Sequence, residues 1–341
     1  MSLARAIETG DVAELPSRRD EDWRWTDLRG LIRALPPASG DYVGEPPPSP
    51  FEAAADICVN VLNGRIRSKV ALGANDHFVL IRFVGQGDGA HAATPGLNLG
   101  GGRATIIESY EGEGAYLSEI DWTLRVGEGG DVERIVLCDE PAGVVSVGRA
   151  DVWLAPGARF SQTVITAGAR RQRIETRVAH GGAGAAVRLD GVYLLNGQRH
   201  ADITTVVTHG SPGGATEQLT KGVVTDQARG VFQGRIVVAE GADQTDAKMG
   251  HHALVLSDRA EVDAKPELEI FADDVACAHG NTVGALDEEA LFYARQRGIP
   301  ESAARAMLTE AFVGEVIDRI RHDGAREIVR AWAAERLGGV A

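Results

Sequence analysis

Six glycines recur through the middle of the chain at near-constant intervals, and this period constrains the fold more than any other feature. Gly102, Gly130, Gly157, Gly184, Gly214 and Gly241 are 28, 27, 27, 30 and 27 residues apart. Each opens a segment with strand-like alternation or β-branched content: GRATIIES, GDVERIVL, GARFSQTVI, GAAVRLDGVYL, GATEQLTKGVV and GADQTDAK. A strand unit repeated at this length reads as a solenoid, because one coil cannot bury its inner face alone and stacked neighbours close a continuous core. The pattern predicts a parallel β-helix, with a β-sandwich of regular turns as the competitor. Composition agrees: 42 of 341 residues are glycine and only 5% are aromatic, which suits tight turns around a core of small and β-branched side chains.

The flanks of the repeat read differently. Ser2 to Glu8 is a short helix candidate stopped by Gly10, and Trp23 and Trp25 straddle a turn that anchors the polar run after Pro16. Pro36, Pro37, Pro47, Pro48 and Pro50 mark residues 36–50 as an extended linker. Alternation predicts strands over 57–61, before the turn Asn63-Gly64, and over 78–84. Near the C-terminus, Asp287 caps a helix to Arg297, Gly298 ends it, and Pro300-Glu301 opens a longer one. Val313, Val316, Ile317 and Ile320 form one apolar stripe, and Ile328, Val329, Trp332 and Ala333 form another beyond Gly324. Gly338-Gly339 is read as the end of order. From pattern alone, these helices cap the open edge of the solenoid or present a partner-binding face, and the cap is preferred. The chain divides into a helical segment and linker (1–50), a β-helix core (51–272) and a helical domain (273–341).

The net charge of −14, from 35 basic and 49 acidic residues, argues against a general nucleic-acid binder or an anionic-membrane surface. No run of about 18 apolar residues predicts a membrane span, and the first twenty residues lack the apolar centre of a signal peptide. Cys58, Cys138 and Cys277 are odd in number and widely spaced. That predicts free thiols in a reducing cytoplasm, with Cys58 and Cys138 packed within strands.

Most motif chemistry is excluded. GxxxxGK[ST], GxSxG and HExxH do not occur. Gly85-Gln-Gly-Asp-Gly-Ala90 matches GxGxxA, but Pro95 and Gly96 leave no helix to face a pyrophosphate. His251 and His252 point to opposite faces of a strand and do not share a metal. Glu267, Glu269, Asp273 and Asp274 suggest a glycosidase or calcium-assisted lyase, and Arg171, Arg173 and Arg177 would line the basic groove such an enzyme needs. Cys277 and His279 are the most informative pair. In an extended strand they share a face, with α-carbons about 6.5–7 Å apart. Together they read as half of an iron or borderline-metal site or as a buried cysteine beside a hydrogen-bonded histidine, since two ligands do not close a structural site.

The stretch around that pair carries a family resemblance. ELEIFADDVACAHGNTVG (267–284), followed by ALFYARQRGIP and a helix, resembles the C-terminal signature of the SufB/SufD family of iron–sulfur cluster assembly proteins. QTDAKMGHHALVLSDRAEVDAKP (244–266) is similar to that family's last β-helix coils. LPSRRDEDWRWTDLRGL (15–31) resembles the N-terminal segment of its SufD branch, with Trp25 where a tyrosine is more usual. The resemblance is strong over about 230–321, clear over 14–30, and architectural between.

The resemblance implies a right-handed parallel β-helix between an N-terminal helical segment and C-terminal helices. It implies a non-enzymatic scaffold subunit of the SUF system that pairs with a SufB paralogue and docks a SufC ATPase, which would handle the ATP. The docking surface would then be the helix bearing Pro300, Met307, Phe312 and Val316, which reverses the preference for a cap. His279 matches the family histidine at the interface between the paralogues and is expected to be an iron or cluster ligand. Cys277 matches a nearby family cysteine and is a second ligand or a structural thiol. No cluster is expected to be held stably by this chain alone; a transient cluster or iron would be shared with SufB. A homodimer is plausible for the isolated chain. The rival reading remains a β-helical enzyme acting on acidic polysaccharide.

Overall fold

Every segment that follows a repeat glycine is a strand. The computed structural model describes residues 1–66 and 77–338. Its strands run in chain order as β1 (Ile57–Leu62), β2 (Arg65–Ile66), β3 (His77–Gly87), β4 (Ala90–Ala93), β5 (Gly96–Leu99), β6 (Arg103–Gly114), β7 (Leu117–Val126), β8 (Asp131–Cys138), β9 (Val145–Leu154), β10 (Arg159–Thr166), β11 (Arg171–His180), β12 (Ala186–Leu195), β13 (His200–His209), β14 (Ala215–Val224), β15 (Arg229–Val238), β16 (Thr245–Val255), β17 (Glu261–Ile270) and β18 (Val275–Gly284). From β6 onward they alternate between two sheets. One is ordered β18-β16-β14-β12-β10-β8-β6-β3-β1-β2, the other β17-β15-β13-β11-β9-β7-β4, with β5 also on β7. All pairings are parallel except the β1–β2 hairpin at Asn63-Gly64. The fold is therefore a parallel β-helix with two long strands per coil.

The repeat glycines mark only the turns into the larger sheet. Gly157 and Gly184 take φ of +64° and +69° ahead of β10 and β12, a conformation that favours glycine. In two coils the left-handed residue is the preceding glycine, Gly129 or Gly213. Gly130 and Gly214 thus keep the period without needing its conformation. Between the sheets, inward side chains such as Val136, Val164, Leu189, Ile203 and Phe232 form one continuous core. A polar insert runs within it: Arg134 pairs with Glu108 and donates to Gln162 at 2.5 Å, all three buried.

Helical segments cover both outer faces. Near the N-terminus, α1 (Leu3–Thr9) is capped by Ser2 and stopped by Gly10 at φ +71°, and α2 (Leu28–Leu31) follows. Leu3, Ala6, Leu15, Leu28 and Ile32 bury against Leu117, Val145 and Val147 of the smaller sheet. The Arg173 guanidinium lies 4.5 Å from the Trp23 ring centroid and donates to the Asp22 carbonyl at 2.7 Å, while the Trp25 carbonyl bonds His200 at 3.0 Å. Both tryptophans thus fasten the segment, as expected. The linker that follows is extended; its Ala38 pairs with Ala90 as an isolated bridge.

At the other terminus come α3 (Glu288–Gln296, capped by Asp287), α4 (Glu301–Ile317) and α5 (Asp323–Gly338). Val313, Val316, Ile317, Ile320, Val329 and Ala333 bury against outward Leu80, Ile135, Ile165, Val192 and Val223 of the larger sheet. The helices therefore lie along that sheet and do not cap the solenoid's end, as the pattern alone had favoured. Gly324 sits inside the first turn of α5 and is not a break before it; Gly338 ends α5, and Gly339 lies outside the described residues. The solenoid also runs past the expected boundary at 272, because β18 pairs along its length with β16. β3 continues through Gly87 with no helix after it, so the GxGxxA match has no pyrophosphate-binding geometry. Among the described residues no helix is long and apolar enough to cross a membrane.

Candidate functional site

The last coil places Cys277 and His279. β17 and β18 are the terminal strands of the two sheets, each paired on one side only. Their other edges carry unpaired backbone donors and acceptors, a template for adding strands. Register puts Cys277 beside Ala247, His279 beside Met249 and Asn281 beside His251. Ala247, Met249 and His251 are all buried, so the three β18 residues continue the inward line of the core. With no further coil above them, Cys277 is half-buried and His279 exposed.

The open mouth is apolar around this pair. Val262, Leu268, Ala272 and Val275 pack half-buried on the core, while Phe271 is 65% and Val283 48% exposed. Burial pushes the Cys277 thiol above its ordinary range, so it binds metal only by giving up a proton to a cation that stabilises the thiolate. One thiol and one imidazole on a strand face fit a borderline metal in type but are too few to enclose it. Among the described residues no group of three or more His, Cys, Asp or Glu is placed to hold a metal. Among the described residues, Cys277 and His279 thus stand as an open pair without further donors beside them.

Other candidates fall elsewhere. His251 faces inward and is buried; His252, on the opposite face, bonds Thr282 at 2.7 Å. Glu267 and Glu269 pair with Arg235 on the outer surface. Two of the three arginines expected to line a polysaccharide enzyme's basic groove are engaged within the fold. Arg173 is 1% exposed and bound to Glu175 and Asp202, and Arg177 is bound to Glu175. Cys138 is buried, as expected, but Cys58 is exposed on β1, correcting the expectation that it is packed.

The expected docking residues divide. Pro300, the N-cap of α4, and Met307 on that helix are exposed. Phe312 is half-buried, with the Lys221 ammonium 4.5 Å from its ring centroid. Val316 is fully buried against the larger sheet; it holds the helix down and is not available to a partner. The sequence reading missed Phe292 and Tyr293 of α3, which are 62% and 60% exposed. Their signal was two adjacent aromatics in a helix of nine residues with only Leu291 buried.

Comparison with known proteins bears on the whole arrangement. A protein-family model described as "SUF system FeS cluster assembly, SufBD core domain" matches residues 99–312. The iron–sulfur cluster assembly protein SufD of Escherichia coli is 34% identical over 242 residues, 70% of this chain and 57% of that protein. A SufBD family protein of Synechocystis is 29% identical over 64% of the chain and 50% of its own length. One from Mycobacterium tuberculosis is 27% identical over 94% and 89%. The chain thus spans little more than half the length of the first two relatives.

Proposed function

The chain belongs to the SufBD family of the SUF iron–sulfur cluster assembly system, and from that premise we propose that it is a scaffold subunit that pairs with a SufB-type paralogue through its last coil. The observation that carries this reading is the exposure of Cys277 and His279 on an uncapped coil whose two edge strands are unpaired. Strand addition there would supply backbone hydrogen bonds, cover Phe271 and Val283, and bring the partner's donors to the open half-site. Iron or the nascent cluster is cargo, shared between the two chains and not resident in this one. His279 offers a neutral imidazole to it and Cys277 a thiol that ionises on binding.

A SufC-type ATPase would dock on the exposed faces of α3 and α4, around Phe292, Tyr293, Pro300 and Met307. The chain contributes no phosphate-loop motif of its own, so nucleotide work belongs to that partner. Three unpaired cysteines suit a cytoplasmic setting. In isolation the same two edges would pair with a second copy.

The decisive variant is His279→Ala. It should fold and co-purify with the paralogue and the ATPase, and should lose cluster formation in cells that depend on this pathway. Cluster formation at the wild-type rate would remove the ligand role.

A further inference from the structure

A hydrogen-bonded chain inside the solenoid ends beside His279. His251 is fully buried on β16. Its Nε2 lies 2.9 Å from the Tyr193 hydroxyl and its Nδ1 2.6 Å from Asn281 Oδ1. Because Asn281 Oδ1 can only accept, His251 carries its proton on Nδ1, and the Tyr193 hydroxyl donates to Nε2. Phe232 stacks on the imidazole with centroids 4.8 Å apart and planes 2° apart, which fixes the ring's rotation.

The sequence makes room for this cluster at a cost to strand propensity. A Cβ on Gly222 would stand 1.9 Å from Tyr193 Cζ, and one on Gly230 2.5 Å from Tyr193 Cε2. A Cβ on Gly234 would stand 2.9 Å from Phe232 Cζ. Glycine weakens a strand interior, yet three such positions form the slot in which Tyr193 and Phe232 sit.

We propose that Tyr193, His251 and Asn281 are a positioning relay for the half-site at His279. The relay sets the rotamer of Asn281, two residues from His279 on the same face of β18. With Oδ1 held by His251, the Asn281 amide cannot flip, and its Nδ2 donors are left at the exposed end of the coil. They are placed to donate to an anionic sulfur, sulfide or thiolate, bound to the iron that His279 would ligate. Outer hydrogen bonds of this kind orient metal ligands and tune sulfur-bound iron. The proposal rests on reading His279 as a ligand for the cargo.

Side-chain ¹⁵N NMR of the full chain, with Co²⁺ alone as the metal probe, tests both separately. In the wild type, His251 should be a single Nδ1–H tautomer in slow exchange. Tyr193→Phe should keep that tautomer, which Asn281 sets, but free the ring at Nε2 and shift or broaden the Asn281 and His279 signals, leaving His180 and His209 unchanged. Asn281→Asp should keep the tautomer by retaining the acceptor, and Asn281→Ala should lose it. An Nε2–H tautomer in the wild type, or unmoved Asn281 and His279 signals in Tyr193→Phe, overturns the relay. Co²⁺ should broaden His279 in the wild type, and with a simple thiolate added as the sulfur probe the same broadening should need about 10–100-fold more Co²⁺ in Tyr193→Phe. Equal Co²⁺ affinity in both in the presence of that thiolate also overturns the relay, while His279 remains a ligand. A His279 signal untouched by Co²⁺ removes the ligand reading and, with it, the relay's role toward the cargo; the tautomer measurements still decide whether the hydrogen-bonded chain exists.

Discussion

Histidines dominate the chemistry at the residue scale, and most of them are hidden. Burial holds His91, His200, His209 and His251 down to about 4, and His180 to about 3. The unfolded chain protonates these rings near 6.5, so between about pH 6.5 and 4 it binds more protons than the folded chain. Each such ring therefore withdraws stability as pH falls through that window, by up to ~1.4 kcal/mol per pH unit. Four buried or half-buried acids act in the opposite sense. Burial raises Asp121 and Glu140 above the ordinary carboxylate range and Glu119 and Asp190 to about 7, so their contribution is lost as pH rises toward 7. The five histidines, each held at about 4 or below, outweigh these carboxyls between about pH 7.5 and 5 and leave a net loss in acid. The urea midpoint should be lower at pH 5 than at pH 7.5; a higher midpoint at pH 5 would mean that these rings are not buried as described. The sequence disclosed part of this inventory. Strand alternation separated His251 from His252 and aligned Cys277 with His279. It could not pair His180 with His209, whose rings stack at 4.1 Å, because only the register of β11 on β13 brings them together.

At the scale of elements, local signals were legible and their destinations were not. Ser2, Gly10, Asp287 and Gly298 mark helix ends because capping is a contact between near neighbours in sequence. An apolar stripe announces that a helix is covered without naming the cover. The surface that receives α4 and α5 is the outward face of the larger sheet, whose residues read in sequence simply as hydrophobic strands, so the pattern alone favours a cap over the solenoid's end. The same ambiguity placed Val316 among the partner contacts. Paired substitutions separate the two faces of the helical region. Val316→Asp buries a charge under α4 and should destabilise the chain by several kcal/mol, of the order of ~3 kcal/mol or more, in thermal or urea unfolding. Phe292→Asp, on an exposed face, should change stability by no more than about 0.5 kcal/mol and should reduce recovery of the ATPase subunit in co-purification while the paralogue is retained. Normal ATPase recovery with Phe292→Asp would move the docking surface away from α3.

For the whole molecule, the two directions of growth are treated differently. Laterally, the chain covers its own sheets: the N-terminal segment lies on one and α4–α5 on the other. Along the axis, the solenoid stops at β17 and β18 with edges unpaired, an apolar rim, and Cys277 and His279 on the inward line. A long apolar edge invites uncontrolled association unless a specific partner takes it, and the proposed pairing would cover this one. Charge on the rim should separate folding from assembly. Phe271→Lys combined with Val283→Lys alters two exposed side chains and leaves the coils beneath untouched, so the unfolding free energy from urea titration should stay within about 0.5 kcal/mol of wild type for each change. Association at this end should weaken at least ~10-fold, because two apolar contacts would be replaced by ammonium groups that must be desolvated on binding. Sedimentation of the isolated chain and co-purification with the paralogue would both report it. A doubly substituted chain that still assembles normally would place the subunit contact elsewhere, and His279 would then face solvent in the complex as it does here.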